Sequence, residues 1–212
     1  MRKSYPRGMT LIELLIVVAI SAIIMIALLE LYMTGQKYFF NQNSRADTIE
    51  ESRMPMAWIS RDIRGATGIH NEANSLPISG TTYSTGPNCL ILEVPTIDGA
   101  GNITGTDYIV YAFDSANHRL LRIIKNNGGS LQDRMRVLAD NLVSDGGGGL
   151  PFKLEYFTET GAKIDSGLNN SYIVEVELTA QGRSIQRGSQ PFVETVRTQA
   201  KLRNKVIPVI PS

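Results

Sequence analysis

Glu13 is the residue whose chemistry is hardest to ignore: it is the only charge in an apolar stretch covering residues 9–29. An unpaired carboxylate in hydrocarbon costs about 3 kcal/mol or more and usually serves a function, so Glu13 requires a partner. The remaining reactive residue types are sparse. Cys89 stands alone, which rules out an intrachain disulfide or a cysteine metal cluster, and its setting in Cys89-Leu90-Ile91-Leu92 reads as a buried strand. His70 and His118 are the only histidines, far apart in sequence, with no motif placing a serine, cysteine or carboxylate beside either. Asp98, Asn102 and Asp107 do not have the spacing of an EF-hand loop, and Gly99, Gly101 and Gly105 do not have the spacing of a dinucleotide loop. Asn102-Ile103-Thr104 and Asn169-Asn170-Ser171 match the glycosylation acceptor pattern formally. No enzyme signature emerges, and no cofactor is expected.

The element that must hold Glu13 is a helix. Residues 1–8 carry Arg2, Lys3 and Arg7 and no acid, the pattern that stays on the cytoplasmic side when the next segment enters a membrane. Residues 9–29 would make a helix of about 31 Å, matching a hydrocarbon core of about 30 Å. A secretory signal peptide would end in small residues, whereas this stretch runs into Leu28-Leu29-Glu30-Leu31-Tyr32. A plain anchor has no reason to place a carboxylate near the start of its apolar run.

The segment Arg7-Gly8-Met9-Thr10-Leu11-Ile12-Glu13-Leu14-Leu15-Ile16-Val17-Val18-Ala19-Ile20 resembles the prepilin cleavage and methylation motif of type IV pilins and type II secretion pseudopilins. The resemblance implies that a membrane-bound prepilin peptidase cuts after Gly8 and methylates the new amino terminus at Met9. It also implies that Glu13 of one subunit meets the Met9 amine of a neighbour, so that assembly neutralises two charges that are costly in an apolar setting. The family more often has phenylalanine at the position of Met9. Losing residues 1–8 would remove three of the 21 basic side chains and leave 18 against 20 acidic ones, so the leader supplies the whole positive excess. Such a balanced charge gives no field favouring nucleic acid.

Beyond Leu29 the pattern remains helix-compatible and becomes more polar. Ala46, Ile49, Met56, Ile59 and Ile63 recur at helical intervals as a stripe to pack on a body, with Gly35 and Pro55 as weak points and Gly65 and Gly68 as a stop. A helix over residues 9–64 would be about 84 Å long. Strands are expected at residues 89–94, 107–113, 119–124, 152–157, 172–178 and 193–202, the second and third joined by the turn Asp114-Ser115-Ala116-Asn117. In the last strand Val196, Ala200 and Leu202 share one face and Arg197, Gln199 and Lys201 the other. Residues 131–143 fit either a short helix or a strand, and the four glycines at 146–149 read as a flexible connection.

The expected fold class is α+β and pilin-like, a long N-terminal helix on an antiparallel β-sheet head. Its divisions are a leader at 1–8, a membrane or filament-core half of the helix at 9–31, an amphipathic half at 32–64 and a β-rich head at 65–212. Trp58-Ile59-Ser60-Arg61-Asp62-Ile63-Arg64, Leu120-Leu121-Arg122 and residues 196–204 further resemble J-type minor pseudopilins and W-type minor pilins. That resemblance implies a minor subunit in the tip or initiation complex of a pilus or pseudopilus. Its partners would be other minor and major pilins or pseudopilins, the inner-membrane assembly platform and, before assembly, the bacterial inner membrane, with the leader in the cytoplasm and the head in the periplasm. The competing reading is a single-pass anchored periplasmic module that binds a ligand or DNA and is never processed.

Overall fold

The computed structural model describes residues 10–97, 102–127, 133–144, 149–181 and 193–203. Contacts divide the chain into two compact units, residues 1–43 and residues 44–212. Helix α1 (Leu11–Gly65) contributes to both.

In the first unit α1 is exposed all round, with Leu14, Leu15, Ile16, Val17, Ile20, Ile23 and Ile24 each at least half accessible. A helix that is apolar on every side finds its complement in lipid or in other apolar helices. The expected weak points do not interrupt it, since the helical assignment passes through both Gly35 and Pro55. Proline lacks an N–H, so the carbonyl of Glu51 forgoes its ordinary helical donor there.

In the second unit α1 has a buried face, formed by Thr48, Ser52, Pro55, Met56, Ile59 and Ile63. The expected apolar stripe holds at Met56, Ile59 and Ile63. It fails at Ala46, which is exposed, and Ile49 is only half-buried. Upstream of Pro55 the buried positions are polar because hydroxyls can satisfy themselves within the helix. Thr48 Oγ1 donates to the Ser44 carbonyl at 2.8 Å, and Ser52 Oγ to the Thr48 carbonyl at 2.9 Å.

The strands in chain order are β1 (Gly68–Ile69), β2 (Leu76–Ile78), β3 (Thr81–Tyr83), β4 (Cys89–Ile97), β5 (Ile103–Asp114), β6 (Arg119–Lys125), β7 (Arg134–Ala139), β8 (Phe152–Phe157), β9 (Lys163–Ile164), β10 (Ile173–Gln181) and β11 (Val193–Lys201). They form a five-stranded sheet in the order β1-β4-β5-β6-β7, a four-stranded sheet in the order β11-β10-β8-β9, and the pair β2-β3. Every pairing is antiparallel. The fold is α+β and pilin-like, with more than one sheet. The segment left open between helix and strand is β7, which completes an edge by pairing with β6.

Period-two alternation places the core. Leu90, Leu92, Ile109 and Tyr111 share one cluster with Met56, Ile59 and Ile63 of α1 and with Leu154, Val174, Val176 and Leu178 of the second sheet. Cys89, Ile91, Val110, Ala112 and Ile123 point to the other face of the first sheet, where they meet Leu76 and Ile78 of β2. Burial there pushes the Cys89 thiol up to about 12, which suits a packed side chain and not a nucleophile. The β5–β6 turn forms as expected, with Asp114 Oδ1 accepting the Ala116 N–H at 3.1 Å.

One polar cluster clasps the helix to the first sheet. Asp62 Oδ2 accepts the Tyr111 hydroxyl at 2.6 Å and is reached by Arg122 Nη2 at 2.7 Å and Nε at 2.8 Å. Both charged side chains are largely buried, so each depends on the other for neutralisation. Burial, with the Asp62 carboxylate beside it, holds the Tyr111 hydroxyl far above the ordinary phenol range. Burial draws the Arg122 guanidinium down, but its bonds to Asp62 and Tyr111 outweigh that and hold it above its usual value. Trp58 lies beside this cluster, with the Arg61, Arg122 and Arg136 guanidiniums 4.0, 5.1 and 5.8 Å from its ring centre.

Candidate assembly site at the helix N-terminus

Glu13 lies in the first turn of α1, where backbone N–H groups lack helical acceptors. The Thr10 N–H donates to Glu13 Oε2 at 3.0 Å, and the Glu13 N–H donates to Thr10 Oγ1 at 3.3 Å. Thr10 Oγ1 also donates to Glu13 Oε2 at 3.2 Å. The main-chain ladder starts beside them, with the Leu14 N–H on the Thr10 carbonyl at 3.2 Å. This is a capping box, in which the cap threonine and the third helical residue satisfy each other's orphan donors. A negative group at this end is further favoured by the helix dipole.

The sequence expectation treated Glu13 only as a charge in search of a partner outside the chain. Its local role was nonetheless legible, because threonine followed three residues later by glutamate, ahead of an apolar run, is the signature of that box. The two roles are compatible. Both bonds from Thr10 go to Oε2, and among the described residues Oε1 has no donor. Thr10 keeps its peptide N–H after a cut before Met9, so the box would survive processing. Gly8 and Met9, the expected cleavage and methylation positions, lie outside the described residues.

Downstream, α1 is long and apolar enough to cross a membrane, and none of its most apolar window is buried within the chain. Tyr32, Tyr38, Phe39 and Phe40 follow it, all exposed, with Gln36 Nε2 donating to the Tyr32 hydroxyl at 2.6 Å.

Residues 3–29 match the prokaryotic N-terminal methylation motif. This match supports a type IV pilin-like prepilin. The motif implies processing of this prepilin by prepilin peptidase and assembly with other pilins. With an apolar helix of membrane-spanning length, it points to an inner-membrane anchor. No match is found among curated proteins.

The other residues that sequence analysis considered are dispersed over the prepilin's head. His70 Nδ1 lies 2.9 Å from Glu93 Oε1, with its ring edge-on to Tyr108, and His118 sits in the β5–β6 turn with φ 54°. Asp107 Oδ1 accepts the Asn127 N–H at 3.0 Å. Asp98, Gly99 and Gly101 lie outside the described residues, as do the first three of the four glycines at 146–149.

Three segments singled out by resemblance converge in the head. Asp62 of the first meets Arg122 of the second, and Ser60 Oγ lies 3.3 Å from Thr198 Oγ1 of the third. Sequence reasoning placed none of these contacts, since they join residues 60 and 138 positions apart.

Proposed function

We propose that this prepilin is a minor pilin or pseudopilin of a tip or initiation complex, in a type IV pilus or a type II secretion pseudopilus. Prepilin peptidase cuts between Gly8 and Met9 and methylates the Met9 amine. The mature helix then leaves the inner membrane for a filament core, while the head stands on the periplasmic side. Glu13 keeps its own helix capped through Oε2 and offers Oε1 to the Met9 amine of a neighbouring subunit. Chemistry is done to this protein and not by it, and no cofactor is required.

The observation that carries this reading is the state of the first unit: an all-round exposed apolar helix whose carboxylate has one oxygen engaged and the other open. A helix meant only to anchor gains nothing from that open acceptor. The narrower assignment to a minor subunit is supported by the resemblance of the three segments that meet around Asp62 and Ser60. The test is the intact mass and N-terminal sequence of the protein from membranes of cells with and without prepilin peptidase. A peptidase-dependent, methylated N-terminus at Met9 is expected. An uncut chain, or cleavage beyond Leu29, would overturn the reading in favour of an anchored module or a secreted protein.

A further inference from the structure

Arg61, Arg64 and Arg203 line an open depression of about 540 Å³ beside the last turns of α1, together with Met56, Ala57, Ser60 and Thr198. Among the described residues no carboxylate lines it. Arg61 is about two-thirds exposed, and its nearest acid is Asp62 Oδ1 at 3.5 Å, whose other oxygen already serves Arg122 and Tyr111. Arg64 and Arg203 have no ion pair among the described residues. Two hydroxyls at the floor, Ser60 and Thr198, are bonded to each other. Three guanidiniums around one depression suit a partner that carries several anionic groups over a comparable breadth.

The same solvent-facing side of α1 carries the opposite sign earlier in the head unit. Asp47 and Glu50 are exposed and, among the described residues, have no ion pair; at 3.6 residues per turn they lie on the side that also bears Ala57, Arg61 and Arg64. Between Glu50 and Arg64 the axial distance is about 21 Å. A helix with acid at one level and base at another holds both halves of a staggered contact. Subunits drawn from one membrane enter a filament with their helices parallel, so such a contact is heterologous and propagates instead of closing.

We propose that the Arg61, Arg64 and Arg203 depression docks an acidic stretch on the helix of a neighbouring filament subunit. This rests on the filament reading above and names a surface and partner chemistry within it. The bidentate geometry of arginine suits carboxylates on successive helical turns. Nucleic acid fits less well, because the one nearby aromatic face, that of Trp58, is already attended by three arginines and is not free for base stacking.

The test places a photo-crosslinking residue at Ala57, exposed on the rim, in the full chain within its own cells. The expected adduct is a second methylation-motif subunit, joined through a helical peptide holding at least two carboxylates. Arg61→Glu with Arg64→Glu should lower its yield at least tenfold, and Lys at the mapped carboxylates should restore it in that background. An adduct insensitive to both reversals, an adduct digestible by nuclease, or no adduct from a chain that does reach filaments would overturn the proposal. A chain cut at Met9 that never enters a filament would remove the filament reading itself, and this contact with it. Thermal unfolding of the double variant, expected to stay a single cooperative transition well above the growth temperature, separates lost docking from a lost fold.

Discussion

The two ends of α1 handle a carboxylate in opposite ways. At Asp62 the chain supplies every partner itself: a guanidinium, a phenol and the low-dielectric surroundings that make both matter. At Glu13 the described residues supply only a backbone N–H and a hydroxyl from Thr10, three residues away, and surround them with apolar side chains that none of those residues covers. The first arrangement is complete as a folded unit. The second is complete only as a helix end, and what it lacks must come from a membrane or from other subunits.

The contrast is broken most severely at Glu13. Glu13→Ala should insert in the membrane and be cleaved, but its incorporation into filaments should fall at least tenfold, measured by immunoblot of sheared filaments against membranes. The head, purified within the same full chain in detergent, should melt at an unchanged temperature. Normal incorporation would sink the pairing role of Glu13, and a lowered melting temperature would show that the two ends are not energetically separate.

Asp62→Ala should do the reverse. Removing one member of a buried pair strands the other charge, at a cost of about 3–5 kcal/mol, so Arg122 would be left without its carboxylate and Tyr111 without its acceptor. Denaturant unfolding of the full chain should show that loss, while peptidase-dependent cleavage at Met9 continues. A change below about 1 kcal/mol would mean that the pair is solvated and is not what clasps helix to sheet. Combining Asp62→Ala with Arg122→Met should recover part of the loss, because the stranded charge is gone as well.

The same contrast explains what could be read in the sequence. The membrane-length helix and the longer strands are governed by local periodicity, so residues 89–94, 107–113 and 119–124 were visible as strands before any contact was known. Strand β7 was not, because it is a short edge strand that fully buries none of its residues, so its pattern marks no core face. The polar buried face at Thr48 and Ser52 was missed because apolar spacing ignores hydroxyls that bond back to their own helix. Neither did the sequence disclose the Asp62–Arg122 pair: its members are 60 residues apart, and it is the register Tyr111↔Arg122 that sets those two side chains together against Asp62. Glu13 was the opposite case. Its proposed intermolecular role follows from its apolar setting, and its bond to Thr10 is a capping-box spacing that charge reasoning alone does not consider.

That short-range bond gives the smallest expected effect and the finest test of the comparison. Thr10→Ala removes the hydroxyl that accepts the Glu13 N–H but leaves the carboxylate in place, and loss of such a cap costs about 1 kcal/mol, a factor of about five. Hydrogen exchange of the Glu13 amide in micelles should therefore accelerate about fivefold in Thr10→Ala, and Thr10→Ser should restore most of the protection, since serine caps as well as threonine. Head stability should not respond to either. If the amide exchanges equally in all three proteins, the Thr10 hydroxyl does not hold the first turn, and the Glu13 carboxylate is then left with the Thr10 backbone N–H alone before assembly. If only Thr10→Ala is fast and it also assembles poorly, the orientation that the cap imposes on the carboxylate is part of how the neighbouring amine is met.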